Sequence, residues 1–361
     1  MIGKRPAFAV AALAATLALS GCGAVEFYWQ GLTGQVDILA RAKPITEVIE
    51  TTPDPALKDR LERAQAIRAF ASRELALPDN RSYTSYTDLG RPFVLWNVFA
   101  APELSLTPRQ WCFPVAGCVN YRGYFAESDA RAEAARLAAQ GDDVHLGGVP
   151  AYSTLGYFDD PVLSTFARYR EVELARLIFH ELAHQVVYVK DDTSFNESFA
   201  VSVEEEGVAR WIAYEAKKRD PTEAKRLAAD FERGQRTRAE FLAMIASARE
   251  RLATIYASPA SDDEKRAAKA AVFAAMRADN ERQRAALGGP TAFDRWFGGG
   301  ANNAGIAAAG LYADRVPQFR ALLEEEGGDL PRFYERVKKL AALPKADREV
   351  ALAKGYGALG R

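Results

Sequence analysis

Histidine and net charge are both scarce in this chain. Only three of its 361 residues are histidine, and 47 Lys and Arg residues stand against 48 Asp and Glu residues, so the formal net charge is −1. A chain so nearly neutral has no broad positive field to attract nucleic acid, and we therefore expect no DNA or RNA partner. Its length predicts one large domain or two closely packed domains.

The apolar run near the N-terminus is too short for a transmembrane helix, which needs about 20 apolar residues. It covers residues 7–19, follows two basic residues and leads into the stretch LSGC, which ends at Cys22. This order is typical of an export signal. LSGC resembles the lipobox of bacterial lipoproteins, which implies that residues 1–21 are removed and that Cys22 is acylated. The alternative is a plain cleaved signal peptide in which the cysteine is incidental.

The residue after Cys22 indicates where a lipid anchor would hold the chain. Lipoproteins that stay in the inner membrane usually carry Asp at that position, whereas this chain has Gly23. The resemblance therefore favours the outer membrane, with the protein in the cell envelope and facing the periplasm.

The two other cysteines, Cys112 and Cys118, lie close together in the stretch WCFPVAGCVNYRGYF. An oxidising periplasm permits disulfides, and the Pro and Gly between the two residues suit a turn, so we predict a short-loop disulfide. A metal site made from the two cysteines is the alternative, but it lacks two further ligands nearby.

The rest of the chain predicts an α+β fold that is predominantly helical, with a small mixed sheet and an accessory helical hairpin. Val94, Trp96 and Val98 alternate with other residues as in a strand, and the cysteine stretch is expected to continue that sheet. Residues 222–286 predict two long charged helices broken around Pro259. We expect four parts: a lipoprotein signal peptide (1–21), an N-terminal and catalytic region (22–221), the charged hairpin (222–287) and a C-terminal helical region that completes the catalytic domain (288–361).

Two of the three histidines lie four residues apart in the stretch HELAH, which runs from His180 to His184. Four residues advance about 400° around an α-helix, so both imidazoles point the same way and are near enough to share one metal ion. Glu181 lies about 100° around the helix from His180, where its carboxylate can reach a metal-bound water. A catalytic zinc site is the prediction, and its third protein ligand must come from elsewhere in the chain.

The next predicted helix begins near Asn196 and offers Glu197 and Glu204, which are seven residues apart and therefore share one face. NESFA, which begins at Asn196, resembles the glutamate-ligand motif of gluzincin metallopeptidases, and this resemblance favours Glu197 as the ligand. Glu204 is the reserve candidate, either as ligand or as a partner that orients a histidine. A capping box from Ser194 to Glu197 is the alternative reading of Glu197.

Several stretches together resemble the HExxH, gluzincin-like zinc aminopeptidase family of proteobacterial lipoproteins. They are WCFPVAGCVNYRGYF, LGYFDDPVLSTF, IFHELAHQ, FNESFAVSVEEEGVARW and NNAGIAAAGLYADRVPQF, and they span nearly the entire mature chain. The resemblance implies a zincin-like core, Zn²⁺ as the cofactor and a peptide or protein as the substrate. Peptide-bond hydrolysis is the better supported expectation, and removal of amino-terminal residues is the more specific one.

In that reaction Glu181 is expected to take a proton from water and to deliver it to the leaving amine. Tyr312 is the leading candidate to donate a hydrogen bond to the developing oxyanion, and Tyr157 and His145 are the others. Glu204 or Asp160 are the candidates to bind a substrate's free amine. The stretch GGVPAYSTLG is expected to be an edge strand that binds substrate backbone, and Asn302 and Asn303 are candidates for binding a peptide terminus.

Two functions of a different class compete with hydrolysis. The first is a metal-containing envelope chaperone or scaffold that binds a partner protein with little or no turnover. The intact Glu181 argues against it, because a purely structural metal site needs no base. The second is binding of an envelope partner protein by the 222–287 hairpin. A charged helical surface, however, is more often only solvated.

Overall fold

The computed structural model of this chain describes residues 27–113, 117–287, 289, 294–298, 300–310 and 315–354. Cys22 and Tyr312 lie outside the described residues. The described part is mostly helical, with small sheets, which agrees with the predicted α+β class. Within it, no helix combines the length and the apolar character that a membrane crossing requires.

The helices are bounded as follows. They are α1 (27–40), α2 (Ile45–Thr51), α3 (Pro55–Leu75), α4 (Glu127–Ala138), α5 (Ser164–Ala167), α6 (Glu171–His184), α7 (Thr193–Glu215), α8 (Pro221–Ala257), α9 (Asp262–Leu287), α10 (Asp294–Gly298), α11 (Asn303–Gly310), α12 (Val316–Glu325), α13 (Leu330–Ala341) and α14 (Lys345–Lys354).

The strands form three small sheets. They are β1 (Lys43–Pro44), β2 (Ser85–Thr87), β3 (Leu95–Pro102), β4 (Trp111–Phe113), β5 (Gly117–Val119), β6 (Arg122–Tyr124), β7 (Asp142–Val149) and β8 (Val162–Leu163). Their orders are β1-β2-β8, β6-β3-β7 and β4-β5. The β2/β8 pair is parallel and the other pairs are antiparallel. The cysteine strands β4 and β5 therefore form a sheet of their own, and only β6 extends the β3 sheet as expected.

The main core surrounds α6 and α7, which pack against each other and against α3 and α12. Its largest fully buried side chains include Phe179 of α6 and Phe199 and Trp211 of α7. Gly207 of α7 allows a close approach, because a Cβ there would lie 2.8 Å from Phe179 and from Leu75 of α3. Close packing of these helices fixes how residues of α7 face those of α6.

A second core joins the long helices α8 and α9 to α11. Phe241 and Leu252 of α8, Val272 and Met276 of α9, and Ile306 of α11 are buried there. Pro259 lies in the connection between α8 and α9, so the two long helices break where the sequence places the interruption. The predicted domain boundaries stay predictions.

One helix boundary differs from the sequence-based prediction. Helix α7 begins at Thr193, three residues before Asn196, because the Asp192 side chain accepts a hydrogen bond from the Phe195 amide and caps the helix there.

Candidate metal centre

His180 and His184 lie in the last turn of α6 and turn the same ring nitrogen towards each other. Their Nε2 atoms are 3.2 Å apart, and their ring centroids are 4.8 Å apart. One face of α6 is apolar and buried, with Ile178, Phe179 and Leu182 in the core, and this fixes the helix so that the histidine face points towards α7. The structure thus shows the pincer that the HELAH spacing predicts.

Glu197 of α7 faces both imidazoles. Its Oε2 lies 3.2 Å from His180 Nε2, and its Oε1 lies 3.7 Å from His184 Nε2. Within the described residues these three are the group of His, Cys, Asp or Glu side chains whose ligand atoms all lie within 4.8 Å of one another. The three residues predicted as metal ligands therefore converge at one point.

The turn between α6 and α7 is held by Asn196. Its side-chain amide donates to the Val189 carbonyl at 2.8 Å, and its carbonyl accepts from the Val189 amide at 2.7 Å. Asn196 is buried, and its chain neighbour Glu197 is thereby aimed at the histidines. The capping-box alternative for Glu197 is wrong, because Asp192 caps this helix.

The spacing of these atoms fits zinc. Nitrogen and oxygen ligands lie about 2.0–2.2 Å from zinc, so two ligands of a tetrahedral ion are about 3.4 Å apart. The three separations, 3.2, 3.2 and 3.7 Å, bracket that value. The side chain of Glu197 is 18% exposed, so the centre can be reached from outside the protein. Two imidazoles, one carboxylate and an accessible side match a catalytic rather than a closed structural site.

Glu204 lies on the other side of His180 and is not a ligand. Its Oε2 accepts from His180 Nδ1 at 2.9 Å, whereas the Nε2 atom of that ring faces Glu197. Its Oε1 accepts from the Arg176 guanidinium at 2.6 and 3.2 Å, and Arg238 lies 3.6 Å away. A carboxylate on the second ring nitrogen fixes the tautomer and orientation of a histidine ligand. Of the two roles predicted for Glu204, its contact with His180 Nδ1 fits the histidine-orienting one.

These contacts shift the ionisation of the group in the metal-free protein. Burial alone lowers the pKa of His180, but its hydrogen bonds to Glu197 and Glu204 outweigh burial and raise the pKa to about 10. Burial raises the pKa of Glu204, yet the charge of Arg176 and the bond from His180 lower it well below its usual range. Burial lowers the pKa of His184 to about 4, although the charge of Glu197 opposes that shift.

Glu181 follows His180 on α6, is partly buried, and is the residue predicted to act as the base. Burial raises its pKa to about 7, the charge of Glu197 adds to that rise, and the charge of His180 opposes it. A carboxylate with a pKa near neutrality can both accept and return a proton, which is what the predicted role requires.

The predicted oxyanion donors are not brought together at this centre. Tyr157 is 85% exposed, and His145 is buried in β7, where it packs against Phe99 and Trp296. Tyr312 lies outside the described residues. Two tyrosines that the sequence did not single out interact with the centre. Burial raises the pKa of Tyr121 and of Tyr188, the charge of Glu197 is the next cause for both, and the ring centroid of Tyr188 lies 6.4 Å from that of His184. The stretch WCFPVAGCVNYRGYF includes Tyr121 but gives it no role, and none of the quoted stretches includes Tyr188.

The residues predicted to bind a substrate terminus already have structural partners. The two oxygens of Glu204 already accept hydrogen bonds from Arg176 and His180. Asp160 accepts hydrogen bonds from the Thr154 amide and hydroxyl. Asn302 donates to the Val144 carbonyl, and Asn303 donates to the Glu103 carbonyl. The expected edge strand is only partly present, because β7 ends at Val149 and lies at the edge of its sheet, whereas Ala151 to Gly156 form no strand.

The sulfur atoms of Cys112 and Cys118 are 2.00 Å apart, which is a disulfide. It joins β4 to β5, and the Cys118 amide donates to the Asp191 carboxylate in the turn between α6 and α7. The cysteine hairpin therefore contacts the segment that carries Glu197 into position.

A model of the family described as "Putative aminopeptidase" matches residues 26–352. The chain belongs to that family. The match covers α1 to α14 almost completely and includes every residue of the centre. Membership supports peptidase activity and therefore a hydrolase. Searches of curated proteins and of solved structures found no match.

Proposed function

We propose that this chain is a zinc-dependent peptidase of the cell envelope, held there by a lipid on Cys22, with a zincin-like core and with aminopeptidase action as its specific form. The observation that carries the proposal is the convergence of the Nε2 atoms of His180 and His184 with the Glu197 carboxylate. A zinc ion bound there supplies a Lewis acid that acidifies water and polarises the substrate carbonyl.

The chain's own residues account for the proton movements of hydrolysis. Glu181 accepts a proton from the attacking water and passes it to the leaving amine, as its near-neutral pKa permits. Glu204 holds His180 through Nδ1, so that Nε2 stays turned towards Glu197. The hydroxyls of Tyr121 and Tyr188 are the candidates to donate to the developing oxyanion.

The decisive experiment compares the mature chain with its Glu181→Gln variant. Both proteins are analysed for zinc and then incubated with a mixed peptide library whose members have free or acetylated amino ends. We expect about one zinc per chain in both, and a loss of peptide cleavage of 10²-fold or more in the variant, because only the base is removed. Equal cleavage by both proteins, or no bound zinc, would contradict the proposal.

The same library tests the more specific activity. An aminopeptidase needs the free α-amine, so acetylated peptides should resist cleavage. If they are cut as fast as free ones, the protein is an endopeptidase and the aminopeptidase form of the proposal is wrong.

A further inference from the structure

A large cleft beside the first half of α6 is lined by arginines. It has a volume of about 1050 Å³ and lies between β7, the segment before α6, and α8. Its charged lining residues are Glu127, Arg131, Arg168, Arg170, Glu173, Arg176, Arg233 and Arg238. We call this the arginine cleft. Six positive and two negative side chains line it, although the whole chain has a formal net charge of −1.

Nearby carboxylates neutralise only part of this charge. Arg170 and Arg233 share Asp230, at 3.3 and 3.4 Å. Arg176 and Arg238 share Glu204, and Arg176 also contacts Glu173 at 3.4 Å.

The two remaining arginines of the cleft differ in their pairing. Arg131 pairs with Glu127, whereas Arg168 is exposed and makes no ion pair within the described part of the chain. Six guanidinium groups therefore face four carboxylates, and the excess positive charge lies at the cleft.

The cleft reaches the centre through one carboxylate. Arg176 and His180 lie one turn apart on α6 and bind the two oxygens of Glu204. Arg238 of α8 contacts the same carboxylate. Glu204 therefore links Arg176 and Arg238 to the Nδ1 side of His180, whereas Nε2 faces Glu197. The volume of the cleft can hold several residues of a peptide that extends from the centre.

The rest of the lining suits an extended peptide. Gly147 and Gly148 of β7 line the cleft, and β7 pairs with β3 on one side and is the last strand of its sheet among the described strands. An exposed strand edge can bind peptide backbone. His145 also lines the cleft, and its buried Nδ1 has no hydrogen-bond partner among the described residues. Trp96 and Trp296 complete the lining with apolar surface.

We propose that the arginine cleft binds carboxylate groups of the peptide substrate, so that the enzyme prefers acidic peptides. This inference rests on the proposed peptidase function. Guanidinium forks match carboxylates in geometry as well as charge, and an excess of them repels a substrate ammonium group. The carboxylate comes from an Asp or Glu side chain or from the peptide's own C-terminus. In either case the α-amine of the substrate lies away from this cleft.

The test uses peptides that differ at one position, Glu, Gln or Lys, each made with a C-terminal carboxylate or amide. Cleavage is measured with the wild-type protein, with the double variant Arg168→Gln, Arg233→Gln, and with Arg332→Gln. Arg332 is a matched control because it is 73% exposed on α13 and does not line the cleft. Binding of the same peptides is measured with the zinc-loaded Glu181→Gln protein, which separates recognition from turnover.

We expect kcat/KM of the wild-type protein to favour the Glu peptide over the Gln peptide by about tenfold, the size of one charge-assisted hydrogen bond. The preference should weaken as salt is added. In the double variant the ratio should fall towards one, whereas the Arg332→Gln protein should keep the wild-type ratio. A preference that follows the terminal carboxylate instead of the side chain identifies the peptide C-terminus as the bound group.

Two outcomes separate this inference from the proposed function. If Glu, Gln and Lys peptides are cleaved equally well, and a C-terminal carboxylate gives no advantage over an amide, the arginine cleft does not bind carboxylate, and the peptidase proposal stands. If no peptide is cleaved, the peptidase proposal fails, and the binding measurement alone decides whether the cleft prefers the Glu peptide. A double variant that is natively folded and keeps the full Glu preference overturns the inference.

Discussion

Replacement of Glu204 by Gln tests how the centre is built. Gln has the same shape but no charge, and an NH2 group, which only donates, replaces one of the two oxygens that accept from His180 and from Arg176. Loss of a carboxylate that orients a histidine ligand costs about 10- to 100-fold in metal affinity, or about 1.4–2.8 kcal/mol. We therefore expect the zinc Kd to rise by that factor, as measured by competition with a chromophoric chelator.

The same change should destabilise the metal-free protein. The side chains of Glu204 and Arg176 are 5% and 14% exposed, so the variant leaves a guanidinium in the interior without its main counter-charge. Removal of one partner from a buried ion pair costs about 3–5 kcal/mol, and the value here should lie near 3 because Arg176 keeps Glu173 at 3.4 Å. Urea unfolding of the metal-free protein measures the loss.

Glu206→Gln is the matched control. Glu206 lies on the same helix and pairs with Arg210 at 2.7 Å, but both side chains are about one third exposed. Such a pair contributes about 0–1 kcal/mol. This variant should bind zinc as the wild type does. If Glu204→Gln also keeps the wild-type zinc affinity and stability, our account of the histidine-orienting carboxylate is wrong.

Three further predictions follow from the ionisation and position of single groups. Glu181 must be ionised to act, so kcat/KM should rise with pH. The midpoint of that rise should lie at or below pH 7, because a bound dication lowers the pKa of about 7 that Glu181 has in the metal-free protein. A rate that is independent of pH from 5 to 8 would argue against this base. In the metal-free protein the pKa of His180 is raised from 6.5 to about 10. The protonated His180 therefore stabilises the folded state fully below pH 6.5, and this stabilisation is lost as the pH rises through 10. Urea unfolding midpoints that stay constant over this range would contradict the His180 contacts. Tyr121→Phe should lower kcat by about 10²-fold with zinc content unchanged, and an unaltered kcat would remove Tyr121 as an oxyanion donor.

Local spacing predicted the histidine pair but could not choose between the two glutamates. The period of an α-helix places His180 and His184 on one face whatever surrounds them, so their sequence alone indicates a shared ligand. Glu197 and Glu204 share a face by the same rule, and periodicity treats them alike. The structure separates them, because Asn196 fixes the turn before α7 and the packing of α7 on α6 turns Glu197 to Nε2 and Glu204 to Nδ1.

The amino-acid sequence by itself determined the predominantly helical class, the long helices broken at Pro259 and the histidine spacing, because each depends on residues only a few positions apart. Tertiary structure alone decided the role of Glu204, the approach of Tyr121 and the arginine cleft. The cleft joins Arg131 to Arg238 across more than 100 residues of chain. Contacts over such separations depend on how helices and strands pack, and no local pattern records that packing.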